Sequence, residues 1–169
     1  MGGASTPAME FGTAWHMAVL EPERFDTEYA VKPEGMSFVT KDGKAWRAEH
    51  EGFKIISSSD YADIVGMETA LSLHPLARNT ITRAVAMEET YIWYEGCTMC
   101  KCRPDIRTSG PNLLVDLKKC VDASDAGFEK AIGNFGYDIQ AAWYLRGARA
   151  VLGDDAPKAF VFQIGRAHV

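Results

Sequence analysis

The sequence predicts a mixed α/β protein, and two patterns support this prediction. Segments with apolar residues spaced three and four apart, typical of helices, accompany short runs of β-branched and aromatic residues that are typical of strands. A chain of 169 residues with 47% hydrophobic content can also bury a sizeable core. We therefore expect one domain over residues 1–169, in which helices pack on a sheet.

The first half of the chain is predicted to combine helices with a long irregular segment. A helix is expected to open after Gly12 and to end at residue 20. Residues 21–52 are polar and interrupted by prolines and glycines, which predicts a long surface segment with little regular structure. Cap residues at 57–60 precede a helix that runs to about residue 71, and Pro75 is expected to start another that ends near residue 85.

The second half begins with strands and continues with helices. Three short strands are expected to form an antiparallel meander, over residues 89–94, 99–106 and 113–117. Helices are then predicted for residues 124–132, interrupted by Gly133 and Gly136, and for residues 137–149. A final strand is expected over residues 159–164.

Composition excludes a few classes of protein. A net charge of −5 argues against a basic protein that coats DNA, although an enzyme that holds divalent metal needs local acidity. No stretch is apolar over the roughly 20 residues that cross a membrane, and the N-terminus lacks a signal-peptide pattern. We expect a cytoplasmic protein.

An acid and an amine on one strand are the first candidates for chemistry. Residues two apart on a strand share a face, so Asp116 and Lys118 project together while Val115 and Leu117 point into the core. A hairpin could bring Asp105 of the preceding strand beside Asp116. Two close carboxylates favour a hard divalent cation, and a lysine beside them can orient or deprotonate an attacking water. The combination suits hydrolysis of a phosphodiester, although such a pair is more often a solvated face.

The cysteines offer a competing interpretation. Cys97, Cys100 and Cys102 are clustered, and together with Cys120 they could in principle hold zinc. The first two flank a predicted turn, however, and Cys120 lies on another strand. We therefore favour reduced, partly buried thiols.

Five segments, taken in order, resemble the motifs of a known nuclease family. Gly12–His16 and Leu20–Phe25 resemble its opening motifs, Arg103–Asp105 its PD motif, Leu114–Lys118 its (D/E)XK motif and Gln140–Tyr144 its QxxxY motif. The chain is similar to PD-(D/E)XK nucleases of the RecB type, above all to RecE-like phage exonucleases, also called exodeoxyribonuclease VIII. The resemblance implies a restriction-endonuclease-like core, with a mixed sheet flanked by helices.

The resemblance also implies a role for each matched residue. Asp105 and Asp116 would bind Mg²⁺, with Mn²⁺ able to substitute, and the backbone carbonyl of Leu117 would complete the inner shell. His16 matches the family histidine that approaches the metal from a helix. Lys118 would position or activate the attacking water.

Further residues would contact DNA or support the site. Gln140 and Tyr144, one helical turn apart, would contact the DNA backbone or support Lys118. Lys101, Arg103 and Lys119 are candidates for phosphate contacts. We expect Trp143 and Ile139 to belong to the core, His74 before Pro75 to be structural, and Glu89 to be an exposed strand glutamate more often than a further ligand; these residues are assigned no role in the reaction.

The function implied is ATP-independent degradation of linear double-stranded DNA by an exonuclease, 5′ to 3′, in phage-type recombination. Relatives form rings around DNA and work beside a single-strand annealing protein, so a homo-oligomer and such a partner are expected. Two alternatives stay open: an endonuclease or repair nuclease of the same superfamily, or a catalytically silent DNA-binding protein with this fold. Relatives continue beyond the last strand, so we also expect a chain shortened at its C-terminus.

Overall fold

A computed structural model describes residues 5–120 and 122–166, which fall into two units. The first unit covers the described residues up to Glu68, and the second begins at Thr69. Within the described part of the chain, no helix combines the length and the apolar character that crossing a membrane requires.

The first unit combines helices with a short parallel sheet. Strands β1 and β2 pair in parallel, with Tyr29 opposite Lys54 and Lys32 opposite Ser57. Helix α4 carries the chain across the boundary into the second unit. The elements are α1 (Pro7–Leu20), α2 (Pro22–Glu28), β1 (Tyr29–Lys32), α3 (Lys41–Glu49), β2 (Lys54–Ser57) and α4 (Ser58–Leu73).

Helix α1 begins earlier than the sequence predicted. The Thr6 hydroxyl accepts a hydrogen bond from the Met9 backbone N–H, and Pro7 occupies the first turn, where its missing N–H costs nothing. These two signals start the helix at Pro7, before the opening that was predicted after Gly12. The helix buries Trp15 completely.

The prediction of an irregular segment over residues 21–52 was wrong. Pro22 stands at the start of α2, a position that favours helix initiation. Thr40 caps α3, since its hydroxyl accepts from the Gly43 N–H at 3.1 Å. The segment therefore contains two helices and a strand, and its longest irregular stretch is residues 33–40, between β1 and α3. The helix predicted from residue 57 is confirmed as α4.

The second unit contains a four-stranded mixed sheet, a separate two-stranded ribbon and the three α-helices α5, α6 and α7. Its elements are α5 (Pro75–Thr82), β3 (Ala84–Met87), β4 (Tyr91–Glu95), β5 (Thr98–Cys102), β6 (Ile106–Thr108), β7 (Leu113–Cys120), α6 (Asp125–Phe135), α7 (Tyr137–Leu152), a short 3₁₀ turn (Gly153–Asp155) and β8 (Ala159–Arg166). The sheet order is β3-β6-β7-β8, with β7 and β8 parallel and the other pairs antiparallel.

The predicted meander was only partly right. The strand expected over residues 99–106 is divided, because the chain leaves the ladder at Arg103–Asp105 and Pro104 is fully buried there. As a result, β4 and β5 form their own antiparallel ribbon, while β6 pairs with β7. The helix expected to reach residue 85 ends instead at Thr82, and β3 follows it. His74 caps α5 through its Nδ1, in keeping with a structural role.

Strand β7 is the central element of this unit. Leu114, Val115 and Leu117 are fully buried, and Asp116 is only 2% exposed. A strand that is covered on both faces reads as a nearly continuous apolar run, which explains the sequence of β7. Burying the one charged residue of that run, Asp116, therefore costs a large amount of free energy.

Helix α7 packs closely on the β4–β5 ribbon. Trp93 and Cys102 of the ribbon's inner face belong to the core of this unit, together with Leu114 and Ala148. Gly147 of α7 is buried at this contact. A Cβ atom at position 147 would lie 2.6 Å from the Trp93 ring and 2.7 Å from the Cys102 sulfur, so the helix can approach only because residue 147 has no side chain.

The cysteines serve packing in this structure. Cys100 and Cys102 are buried in the ribbon, Cys97 is exposed and Cys120 lies at the end of β7; none of these four cysteines forms a disulfide within the described part of the chain. Among the residues that the structure describes, no group of three potential metal ligands includes a cysteine. The zinc interpretation therefore has no geometric support.

Replacement of Gly147 by alanine is expected to destabilise the protein by about 1–3 kcal/mol, because the added methyl group would overpack the contact with Trp93 and Cys102. The free energy of unfolding from urea titration measures the effect. Gly133→Ala is the matched control, since it lies in α6 with no neighbouring heavy atom within 4 Å of the added Cβ. That variant should be neutral or stabilised by up to about 1 kcal/mol, and an equal loss in both variants would contradict the packing argument.

Cys102 is expected to resist alkylation in the folded protein. Burial raises the pKa of its thiol to about 11, so at about pH 8 the reactive thiolate is scarce. Mass spectrometry after brief iodoacetamide treatment should find Cys97 modified and Cys102 intact, with both modified once denaturant is added. Modification of both cysteines at one rate in the native protein would contradict the buried placement.

Candidate active site

Asp116 and Lys118 form a buried ion pair on β7. Their side chains share a face of the strand, and the Lys118 ammonium lies 2.6 Å from Oδ2 of Asp116. The side chains are 3% and 17% exposed respectively. The ammonium also lies 4.7 Å from the centre of the Tyr137 ring, within range of a cation–π contact. The pairing predicted from strand alternation is present.

Asp105 reaches the same strand from the neighbouring one. It directly precedes β6, whose register pairs Ile106 with Val115, and one further step brings Asp105 level with Asp116. Its Oδ2 accepts a hydrogen bond from the backbone N–H of Leu117 at 2.6 Å. Asp105 is 7% exposed. Since the bond fixes one carboxylate oxygen to the middle of β7, Asp105 is held at the (D/E)XK segment.

Helix α7 contributes Gln140 and Tyr144 to the same face. The Gln140 side-chain amide donates a hydrogen bond to Oδ1 of Asp116 at 2.8 Å. Gln140 thus orients the Asp116 carboxylate directly, and it supports Lys118 through that carboxylate. Burial raises the pKa of Tyr144, and the negative charges of Asp116 and Asp105 add to the increase while a hydrogen bond with Gln140 opposes it. Tyr144 is therefore a protonated phenol close to both carboxylates.

The expected core position of Ile139 was wrong. Its side chain is 70% exposed, one residue before Gln140 on α7. Trp143 does pack against the core, with its ring 4.9 Å from that of Trp93, and its indole N–H donates to the Lys101 carbonyl. Ile139 shares a helix face with Trp143 but lies one turn earlier, in the first turn of α7, and there that face is exposed.

The Glu89 carboxylate is bound by Arg107 and Tyr91. Its carboxylate accepts hydrogen bonds from Arg107 at 2.9 Å and from the Tyr91 hydroxyl at 2.7 Å. The bond from Arg107 lowers the pKa of Glu89, with the Tyr91 bond contributing in the same direction. Glu89 lies between β3 and β4 and is half-buried, so the expectation of an exposed strand glutamate was wrong, and its contacts give it a structural role.

The adjacent Glu88 is the residue that the sequence did not reveal. One of its carboxylate oxygens lies within 4.8 Å of one from Asp105, and its backbone N–H donates to the Asp105 carbonyl at 2.9 Å. Its φ of 53° is in the left-handed region, which is uncommon for glutamate. Arg103 forms an ion pair with it. A turn that places Glu88 in this way has no sequence signature, because the left-handed conformation usually belongs to glycine or asparagine.

The side chains fit a hard divalent cation. Carboxylate oxygens of Asp105 and Glu88 are near enough to approach one ion at the 2.0–2.6 Å that is typical of Mg²⁺ or Ca²⁺, with modest side-chain adjustment. Asp116 stands level with Asp105 on the adjacent strand. Oxygen-only donors of this kind are those that Mg²⁺ prefers.

The remaining residues predicted to belong to the site are His16, Lys101, Arg103 and Lys119. His16 is on α1 of the first unit, half-buried, with its ring edge-on to Trp15. Lys101 is exposed on the ribbon, Arg103 is 54% exposed beside Glu88, and Lys119 is half-buried next to Lys118. The roles given to these residues by resemblance stay predictions.

Comparison with known proteins identifies a matching family and a similar solved structure. Residues 2–164 match the family described as a PDDEXK-like domain of unknown function (DUF3799). No curated protein matches the chain. A solved protein from Eubacterium rectale, described as a "Putative exonuclease", is similar in fold with a TM-score of 0.63 and 15% identity. The similarity covers 100% of this chain but 57% of that protein, so the chain spans little more than half of its structural relative.

The mixed β3-β6-β7-β8 sheet flanked by helices is the fold that the motifs predicted. The match says nothing specific to the RecE-like group. Because it extends over nearly all of the chain, this protein belongs to the PDDEXK-like domain family and thereby to the PD-(D/E)XK nuclease superfamily.

Proposed function

We propose that this protein is a metal-dependent deoxyribonuclease that hydrolyses phosphodiester bonds at the carboxylates beside β7. The observation that supports this most directly is the buried contact set of Asp105, Asp116 and Lys118. One carboxylate is fixed by the Leu117 N–H, and the other is bound by both Lys118 and Gln140. A stable fold gains little from burying so many charges in one place, which is a common feature of catalytic sites.

Asp105 and Asp116 are the proposed ligands of Mg²⁺, with Mn²⁺ as a substitute and Glu88 as a third carboxylate. A divalent cation held there supplies Lewis acidity, which polarises the scissile phosphate and makes water a stronger acid. The Leu117 backbone carbonyl is proposed as a further donor, since the N–H of the same residue already binds Asp105. Sequence resemblance supports the assignment of His16 to this role.

Lys118 is proposed to position the attacking water, to which its ammonium can donate a hydrogen bond. Its ammonium is held between the Asp116 carboxylate and the Tyr137 ring, so its position is restricted before substrate arrives. Gln140 keeps the Asp116 carboxylate in one orientation, and the phenol of Tyr144 can donate a hydrogen bond to a phosphate oxygen. Restricting these groups in advance lowers the entropy lost on reaching the transition state.

Cations near the strand ends are proposed to bind the DNA backbone. Lys101 lies on the outer face of the β4–β5 ribbon, where Ile92, Tyr94 and Met99 are also exposed and no acidic residue is present. Arg103 connects this strand to Asp105, and Lys119 follows Lys118. Local positive charge of this kind can bind phosphates although the protein as a whole carries a net charge of −5.

The finer assignment is an exonuclease that degrades linear double-stranded DNA from 5′ to 3′ without ATP in phage-type recombination. Resemblance of the ordered motifs to RecE-like exonucleases supports it, as does the description of the Eubacterium rectale relative. The same resemblance supports a cytoplasmic homo-oligomer that acts beside a single-strand annealing protein. An endonuclease or repair nuclease, or a silent DNA-binding protein with this fold, would leave the same site geometry.

Wild-type protein with Mg²⁺ is expected to degrade a linear DNA duplex, whereas Asp116→Ala and Lys118→Ala should reduce the rate about 10³-fold. Each substitution removes several kcal/mol of transition-state stabilisation, and 1.36 kcal/mol corresponds to a tenfold change. Release of acid-soluble nucleotides measures the rate, and Ile139→Ala on the exposed side of α7 is the control. Equal digestion by all variants would refute the assigned site. No digestion by wild type would support the silent alternative.

A closed circular duplex should remain intact under conditions in which the linear form of the same DNA is degraded, because an exonuclease needs an end. Gel electrophoresis of the two forms after equal incubation distinguishes the classes. Cleavage of the circle would favour the endonuclease alternative, provided that Asp116→Ala abolishes it.

A further inference from the structure

Each acidic side chain of the candidate site has its own counter-group, but these differ in kind. Asp116 is bound by the buried Lys118 and by Gln140, and Asp105 is bound by a backbone N–H. Glu88 forms an ion pair with the guanidinium of Arg103, whose side chain is 54% exposed while that of Glu88 is 14% exposed. Among these contacts, the Arg103 pair is the one whose cation extends into solvent.

The backbone holds Glu88 in place independently of Arg103. Its N–H binds the Asp105 carbonyl, and its left-handed φ sets the direction of the Cα–Cβ bond. Arg103, in contrast, lies in the irregular segment between β5 and β6, on a long and rotatable side chain. The less exposed carboxylate is therefore the more confined member of the pair, and the more exposed guanidinium is the member that can move away.

We propose that Arg103 is an exchangeable counter-ion for Glu88. A divalent cation at Glu88 and Asp105 takes over the neutralising role of the guanidinium, and Arg103 then turns to a phosphate of the bound DNA. The proposal rests on the nuclease function proposed above, and it adds that metal binding and DNA binding are coupled through one side chain. No covalent change is involved.

The energies favour such an exchange. An ion pair with a half-exposed arginine is weak, and a divalent cation with charged oxygen ligands binds a carboxylate more strongly. A phosphate offers arginine two parallel hydrogen bonds, so the released guanidinium gains a better partner than a single carboxylate oxygen. By linkage, metal then strengthens DNA binding by the same factor by which DNA strengthens metal binding.

Calorimetric titration with Mg²⁺ or Mn²⁺ alone, without DNA, tests the first half of the exchange. Arg103→Ala should bind the metal up to roughly fivefold more tightly than wild type, because the competing cation is gone. Arg146→Ala is the matched control, since Arg146 forms a similar pair with Glu95 on the ribbon and is 63% exposed. It should bind metal as wild type does. Unchanged or weaker metal binding by Arg103→Ala would overturn the proposal.

Fluorescence anisotropy with a short labelled duplex tests the second half, with Ca²⁺ and without divalent cations. In wild type, Ca²⁺ should increase DNA affinity by more than it does in Arg103→Ala. Arg103→Lys should restore part of the difference, since it keeps the charge but lacks the planar fork. Equal enhancement in all three proteins would overturn the coupling.

A double-mutant cycle locates the competition at Glu88. In a Glu88→Gln background, Arg103→Ala should no longer increase metal affinity, because the neutral amide has no ion pair to lose. A persistent increase would assign the effect to general charge and overturn the exchange. The metal titrations are independent of cleavage. Wild type that shows the exchange but degrades no DNA would refute only the nuclease proposal, and active wild type without the exchange would refute only this inference.

Discussion

A charged pair within a strand that is buried on both faces is the constraint on which the second unit depends. Leu114, Val115 and Leu117 exclude water from β7. Asp116 lies between two of them, and Lys118 follows Leu117. Such a strand can carry charge only if neighbouring elements bring compensating groups. The elements packed around β7 do this: α7 supplies Gln140, and the segment before β6 supplies a carboxylate that binds the strand's own amide.

The same constraint explains why packing is so close around the ribbon. Helix α7 must reach both β7, to orient Asp116, and the β4–β5 ribbon, to bury Trp93. Gly147 allows the second contact while Gln140, two turns earlier, makes the first. Core packing and the orientation of a functional carboxylate are thus properties of one helix, and a shift of α7 by the width of a methyl group would disturb both.

The sequence predicted the parts of this arrangement that depend on local periodicity. Strand alternation was sufficient to place Asp116 with Lys118, and helical spacing placed Gln140 with Tyr144. Ile139 was misassigned because helical spacing puts it on the same face as Trp143, and spacing does not show that this face is exposed in the first turn of α7. The short parallel pair of β1 and β2 was missed because parallel pairing joins distant segments and leaves no hairpin signal. Glu88 was missed because its position depends on a backbone conformation that the residue type disfavours.

That conformation has a consequence for how the protein could evolve. A glutamate in the left-handed region stores on the order of 1 kcal/mol of backbone strain, which the surrounding structure must overcome. Glycine or asparagine at position 88 would relax the turn, and the protein would unfold less readily while losing a carboxylate beside Asp105. Selection for thermal robustness alone would therefore tend to remove this glutamate. Its retention in a lineage would indicate that selection acts on the reaction and accepts a less stable fold.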